Sequence, residues 1–151
     1  MSRENVEIVR TFWESWLGGD AAPLSVSGGE VVYDHRSDPH GLFARLDPAV
    51  EVHPLTGAML EGVSYQGHDG MRQWFEDVAE YWESMWVEAD EFLDAEEAVV
   101  VVGRVHARGK ASGVAVESPA AWVFHLRDDR LSYLRFYLDC SQALQAVGLR
   151  E

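Results

Sequence analysis

The 151-residue chain carries a net charge of −14 and a hydrophobic fraction of 47%, with one cysteine. Its length suits a single domain, 1–151, with a full core. The acidity excludes a nucleic-acid backbone or an anionic membrane surface as partner, because both need clustered Lys and Arg.

Cys140 has no partner for an internal disulfide, and MSRENVEIVR places charge where a signal peptide needs an apolar run. No stretch approaches the ~20 apolar residues of a membrane span. A soluble, cytoplasmic protein is expected. Ser2 is placed to cap a first helix, whose stripe is Val6, Val9, Phe12, Trp13, Trp16 and Leu17. Gly18-Gly19-Asp20 ends it. From Ala21 to Arg36, Pro23, Gly28, Gly29 and the short run EVVYDHR read as a loop with an edge strand or lid. Ser37-Asp38-Pro39 then predicts a short helix through Leu46, stopped by Asp47-Pro48.

Val50 to His53 alternates as a strand. A helix is predicted from Asp69 to about Glu83, with Met71, Trp74, Phe75, Val78 and Trp82 on one face. Four long strands follow at 86–93, 98–108, 114–127 and 131–138, separated by turn signals such as Arg127-Asp128-Asp129-Arg130. A short helix, Ser141 to Val147, closes the chain. This order predicts an α+β fold, helices gathered on one face of an antiparallel sheet. Ser118, Ala120, Trp122, Phe124 and Leu126 alternate with a more mixed set, as do Leu134, Phe136 and Leu138. The aromatic set is expected to face the helices. The other set is too apolar for a purely wet surface, which points to a homodimer through the outer sheet face.

The element order, with YQGHDGMRQWF before the strands and YLDCSQALQAVGL after them, resembles the nuclear transport factor 2-like superfamily, and within it the SnoaL-like bacterial members. The resemblance spans the first helix and about Pro39 to Leu149; the segment Ala21 to Arg36 has no counterpart. It implies a cone-shaped α+β barrel, its curved antiparallel or mixed sheet wrapped around helices and a pocket, commonly dimeric. This superfamily hosts cyclases, isomerases, dehydratases, epoxide hydrolases and non-catalytic binders, so function has to come from the site.

In YQGHDGMR, Asp69 reads as a helix cap and His68 as its neighbour, since adjacent residues at a helix start point apart. Glu51 and His53 are a stronger pair. Two apart on a strand, they share a face, and a carboxylate beside an imidazole suits proton transfer near neutral pH. A histidine at the pocket mouth bonded to a carbonyl is the plainer alternative. Asp139 reads either as the cap of the last helix with Gln142 or as the acid or base that SnoaL-type cyclases carry near this end of the sheet. Tyr65 or Asp139 would be a second proton donor. Limonene epoxide hydrolases resemble the chain at its last strand but carry Arg-Asp-Tyr-Phe-Asp there. Here the run is Arg135-Phe136-Tyr137-Leu138-Asp139, which argues against that chemistry.

Asp34, His35, Asp38 and His40 match no metal-ligand spacing, and turn chemistry accounts for Ser37-Asp38-Pro39. No metal and no cofactor are expected. Trp16, Trp86, Trp122, Phe124, Phe136 and Leu138 are candidates to line a cavity for a small hydrophobic or aromatic molecule. Three functions follow: a cofactor-independent cyclase, isomerase, dehydratase or hydrolase working by acid–base chemistry; a non-catalytic binder using the same cavity; or a dimer scaffold with a filled cone. Two or more titratable groups within reach of each other inside the cavity would favour the enzyme, and an apolar cavity the binder.

Overall fold

The computed structural model describes residues 2–20, 22–53, 64–96 and 98–148. Helix α1, Ser2–Phe12, runs on into a π-helical turn, Trp13–Leu17, closed by the Gly18 N–H donating to the Trp13 carbonyl. The turn buries both Trp13 and Trp16. The Ser2 side chain, the expected cap, lies outside the described residues.

The segment read as a loop or lid contains a small hairpin. Strands β1 (Val26–Ser27) and β2 (Glu30–Val31) flank Gly28 and Gly29, whose φ values of 61° and 77° suit a two-residue primed turn. The helix expected from Pro39 to Leu46 shrinks to a 3-10 turn at Leu42–Arg45, and strand β3 already runs from Leu46 to His53. The Asp38 carboxylate explains the short turn, because it accepts the Leu42 and Phe43 amides at 2.7 and 3.3 Å. Pro48, which has no N–H to donate, lies within the register shift between Leu46 and Glu51.

Strand β4 (Tyr65–Gln66) pairs with β3 and leads into helix α2, Gly67–Tyr81. The helix starts two residues earlier than expected. Asp69 is therefore not its cap but an exposed first-turn residue 3.4 Å from Arg72, where its charge complements the helix dipole. His68 turns the other way, its Nε2 3.0 Å from the Leu46 carbonyl.

Strands β5 (Trp82–Asp94), β6 (Ala98–Gly109), β7 (Ala115–Arg127) and β8 (Arg130–Tyr137) form the long antiparallel run, and helix α3 (Cys140–Ala146) follows. The β7–β8 hairpin turns on Asp128 and Asp129, both at positive φ. The full sheet order is β2-β1-β5-β6-β7-β8-β3-β4, and β3 lies parallel to β8. The fold is α+β: a curled mixed sheet makes a half-barrel around the helices.

On the concave face, Val99, Val101, Ala120, Trp122, Phe124, Leu134, Val50 and Val52 meet Val9, Phe12 and Trp13 of α1 and its π turn, and Met71 and Phe75 of α2. Trp13 is the centrepiece, edge-on to Trp122 at 4.9 Å and to Phe124 at 6.4 Å. Burial of such rings gives each roughly 1.5–3 kcal/mol of transfer free energy. On the convex face, Val100, Ala121 and Val123 pack with Ala143 and Leu144 of α3. Ala121 and Val123 belong to the mixed set that suggested a dimer, and here the chain's own last helix packs on them. Among the described residues, no helix is long and apolar enough to cross a membrane.

Candidate functional site

Between the sheet and α2 lies a cavity of about 50 Å³. Val52 of β3, Met85 and Val87 of β5, Trp122 of β7, and Leu134 and Phe136 of β8 form its sheet side. Helix α2 adds Trp74, Phe75 and Val78, each one helical turn or a neighbouring step along the same face. The hairpin segment closes it with Leu24, Val26 and Val31. The Trp122 and Phe136 rings, on paired positions of β7 and β8, stand 5.1 Å apart.

Two polar-tipped residues, His53 and Trp86, also border the space. Strand alternation turns both rings to the convex side. Val52, the neighbour of His53, is buried inward. The His53 ring instead lies 5.2 Å from Tyr133, with Nε2 3.2 Å from Glu51 Oε1. The Trp86 indole stacks flat on His106 at 3.9 Å, and His106 Nε2 lies 2.5 Å from Glu88. The Glu51–His53 pair thus forms as a pair, but on the outer face and not facing into the cone.

The other proposed proton carriers lie apart from the cavity. The Tyr65 hydroxyl donates to Asp77 Oδ2 at 2.5 Å, and burial followed by that carboxylate pushes its pKa up to about 12. Such a phenol holds its proton near neutral pH. Asp139 caps α3 by accepting the Ser141 amide and hydroxyl at 2.9 and 2.7 Å, and those bonds hold its pKa low. Ser141 provides the two short capping bonds, and the backbone N–H of Gln142, the expected partner, adds to the lowering. The structure does not bring His53, Glu51, Tyr65 and Asp139 together.

Of the six proposed lining residues, Trp86, Trp122 and Phe136 border the cavity and Trp16, Phe124 and Leu138 do not. Trp16 packs edge-on against Tyr33 at 4.9 Å, Phe124 is fully buried beneath Trp13, and Leu138, just past β8, is 48% exposed. Sequence reasoning missed the contribution of Leu24, Val26 and Val31. Its signal was present: Val26 and Val31 flank Gly28-Gly29, a two-residue hairpin pattern. In the 34–40 stretch, Asp34 binds Ser37 and Asp38 binds Tyr33 and the Leu42 amide. Among the described residues, no three His, Cys, Asp or Glu gather as a metal site would require.

The model of the SnoaL-like domain matches residues 32–134. The chain belongs to the SnoaL-like family. Solved structures agree on the fold. An NTF2-like protein of unknown function from Burkholderia pseudomallei is 20% identical, with a TM-score of 0.64 over 95% of this chain and 97% of its own. A putative SnoaL-like polyketide cyclase from Jannaschia sp. CCS1 is 17% identical, with a TM-score of 0.64 over 99% and 95%. TerC, co-crystallised with polyporic acid, is 16% identical, with a TM-score of 0.62 over 95% and 97%. No curated protein matches. In this SnoaL-like chain the position where the resemblance to epoxide hydrolases would place a carboxylate is Phe136, and it lines the cavity as a hydrocarbon ring.

Proposed function

We propose that this SnoaL-like domain binds a small apolar, aromatic-type molecule in the cavity under α2, without acid–base catalysis there. One observation carries the reading: among the described residues the walls are hydrocarbon but for the borders at His53 and Trp86, and no two titratable side chains converge inside them. Proton-transfer enzymes need donor and acceptor within hydrogen-bond reach of the reacting atoms. Here Tyr65 and Asp139 are committed elsewhere and the Glu51–His53 pair faces outward. Trp74, Phe75, Trp122 and Phe136 offer flat π surfaces that favour offset or edge contact with a planar ring. That a similar fold crystallises with polyporic acid supports an organic ligand for this architecture.

Calorimetric titration with naphthalene tests the reading. Saturable binding with a negative heat-capacity change is expected, and a Val78→Phe variant, which fills the cavity, should weaken it at least tenfold, about 1.4 kcal/mol. No saturable heat from the wild-type protein would overturn the reading.

A further inference from the structure

We propose that the β1–β2 hairpin is the gate of the apolar cavity, swinging away from β5 to admit the ligand; this rests on the binding reading above. The space of about 50 Å³ is far below the ~300–1,000 Å³ of pockets that hold drug-sized ligands, so a wall must move for one to be held there. The walls differ greatly in how firmly they are held. Strand β5 is paired with β6 from Trp82 to Asp94, and β7 with β6 from Ala115 to His125. The hairpin meets β5 through one bridging pair, Val26 with Met85. Its tip adds the Gly29 amide donating to the Glu83 carbonyl at 2.8 Å, with the Lys110 side chain lying across Gly29. Segments held by so few bonds open first.

The base is fixed by contrast. The Leu24 amide donates to the Trp16 carbonyl at 2.8 Å, the Tyr33 amide to the Pro23 carbonyl at 2.8 Å, and the Tyr33 ring packs on Trp16. A fixed base and a lightly held tip make a flap. Opening it has somewhere to lead. Val31 and Phe75 line the cavity on one side and, on the other, an open groove with Glu30, Arg36, Glu76, Glu80 and Lys110. The hydrocarbon wall is a single residue thick there. Lifting Val26 and Val31 joins the cavity to that groove and to solvent.

A Val26→Cys, Met85→Cys double variant in a Cys140→Ser background locks the hairpin to β5 when oxidised, since bridging strand partners lie within disulfide reach. Stopped-flow tryptophan quenching by naphthalene is expected to slow roughly tenfold or more on oxidation and to recover on reduction, as for any gated site. Equal rates in the two redox states would overturn the gate and leave the binding reading standing. Loss of binding by the wild-type protein would overturn both. Should the double variant fail to fold, amide exchange on the wild-type protein decides. The Gly29 amide must exchange faster than that of Val100 and slow when naphthalene is added; protection equal to Val100 and unmoved by ligand would overturn the gate.

Discussion

His53 Nε2 lies 3.2 Å from Glu51 Oε1, and both side chains share the convex face with Tyr133 while Val52 between them is buried in the core. The pair has the spacing of an acid–base couple on the wrong side of the strand for the cavity. A His53→Ala variant is accordingly expected to bind naphthalene within about 0.5 kcal/mol of wild type, the range for residues outside a packed site. Phe136→Ala should change the affinity by more. Equilibrium titration of the two variants checks the order, and a large loss with His53→Ala would return the imidazole to the site.

Phe124, on β7, and Leu138, just past the end of β8, separate core from surface. Phe124 is fully buried beneath Trp13, so Phe124→Ala should destabilise the fold by about 3–5 kcal/mol in denaturant titration. Leu138, half exposed past the end of β8, should tolerate alanine within about 0.5 kcal/mol.

Gly103 faces Ala89 where β5 bulges, and a Cβ there would stand 1.9 Å from the Glu88 carbonyl oxygen. The obstacle is backbone, which cannot rotate aside as a side chain would. Gly103→Ala should lower stability by at least about 1–3 kcal/mol, the usual range for overpacking. An unchanged denaturation midpoint would show that the bulge yields freely.

His35 is buried beside Phe75, its ring 5.4 Å away, and Nδ1 finds no hydrogen-bond partner among the described residues. Burial lowers its pKa from the ordinary 6.5; Arg36 and Arg72 add to the lowering, and Glu76 and Asp34 oppose it. The unfolded chain therefore binds this proton more readily than the folded one. Its contribution to stability is full above about pH 6.5 and is lost as pH falls from there toward the depressed folded value. Thermal melts across that window should show wild type losing stability faster than a His35→Phe variant. Parallel losses would exclude His35 as the cause.

The long elements were legible because their periodicity is unbroken: the alternation in Trp122-Val123-Phe124 and the helical spacing of Met71, Phe75 and Val78 leave one way to face a core. Boundaries failed where one side chain overrode the pattern. Asp38 took two amides and cut a helix to a single turn, which no apolar spacing announces. Part of the convex surface was hidden for a different reason. Ala121 and Val123 stand among the outward-facing residues, yet α3 lies on them, and alternation cannot tell which element covers a face. The candidate site suffered the same ambiguity. Glu51 and His53 were correctly placed on one face, but only the burial of Val50 and Val52 fixes which face that is.

The most direct measurement is a crystal structure of the protein soaked in bromobenzene, read by the anomalous signal of bromine. The account predicts a bromine peak between α2 and the sheet, in contact with Trp122 and Phe136. A peak confined to the convex face beside His53 and Tyr133, or none at all in the cavity, would contradict it.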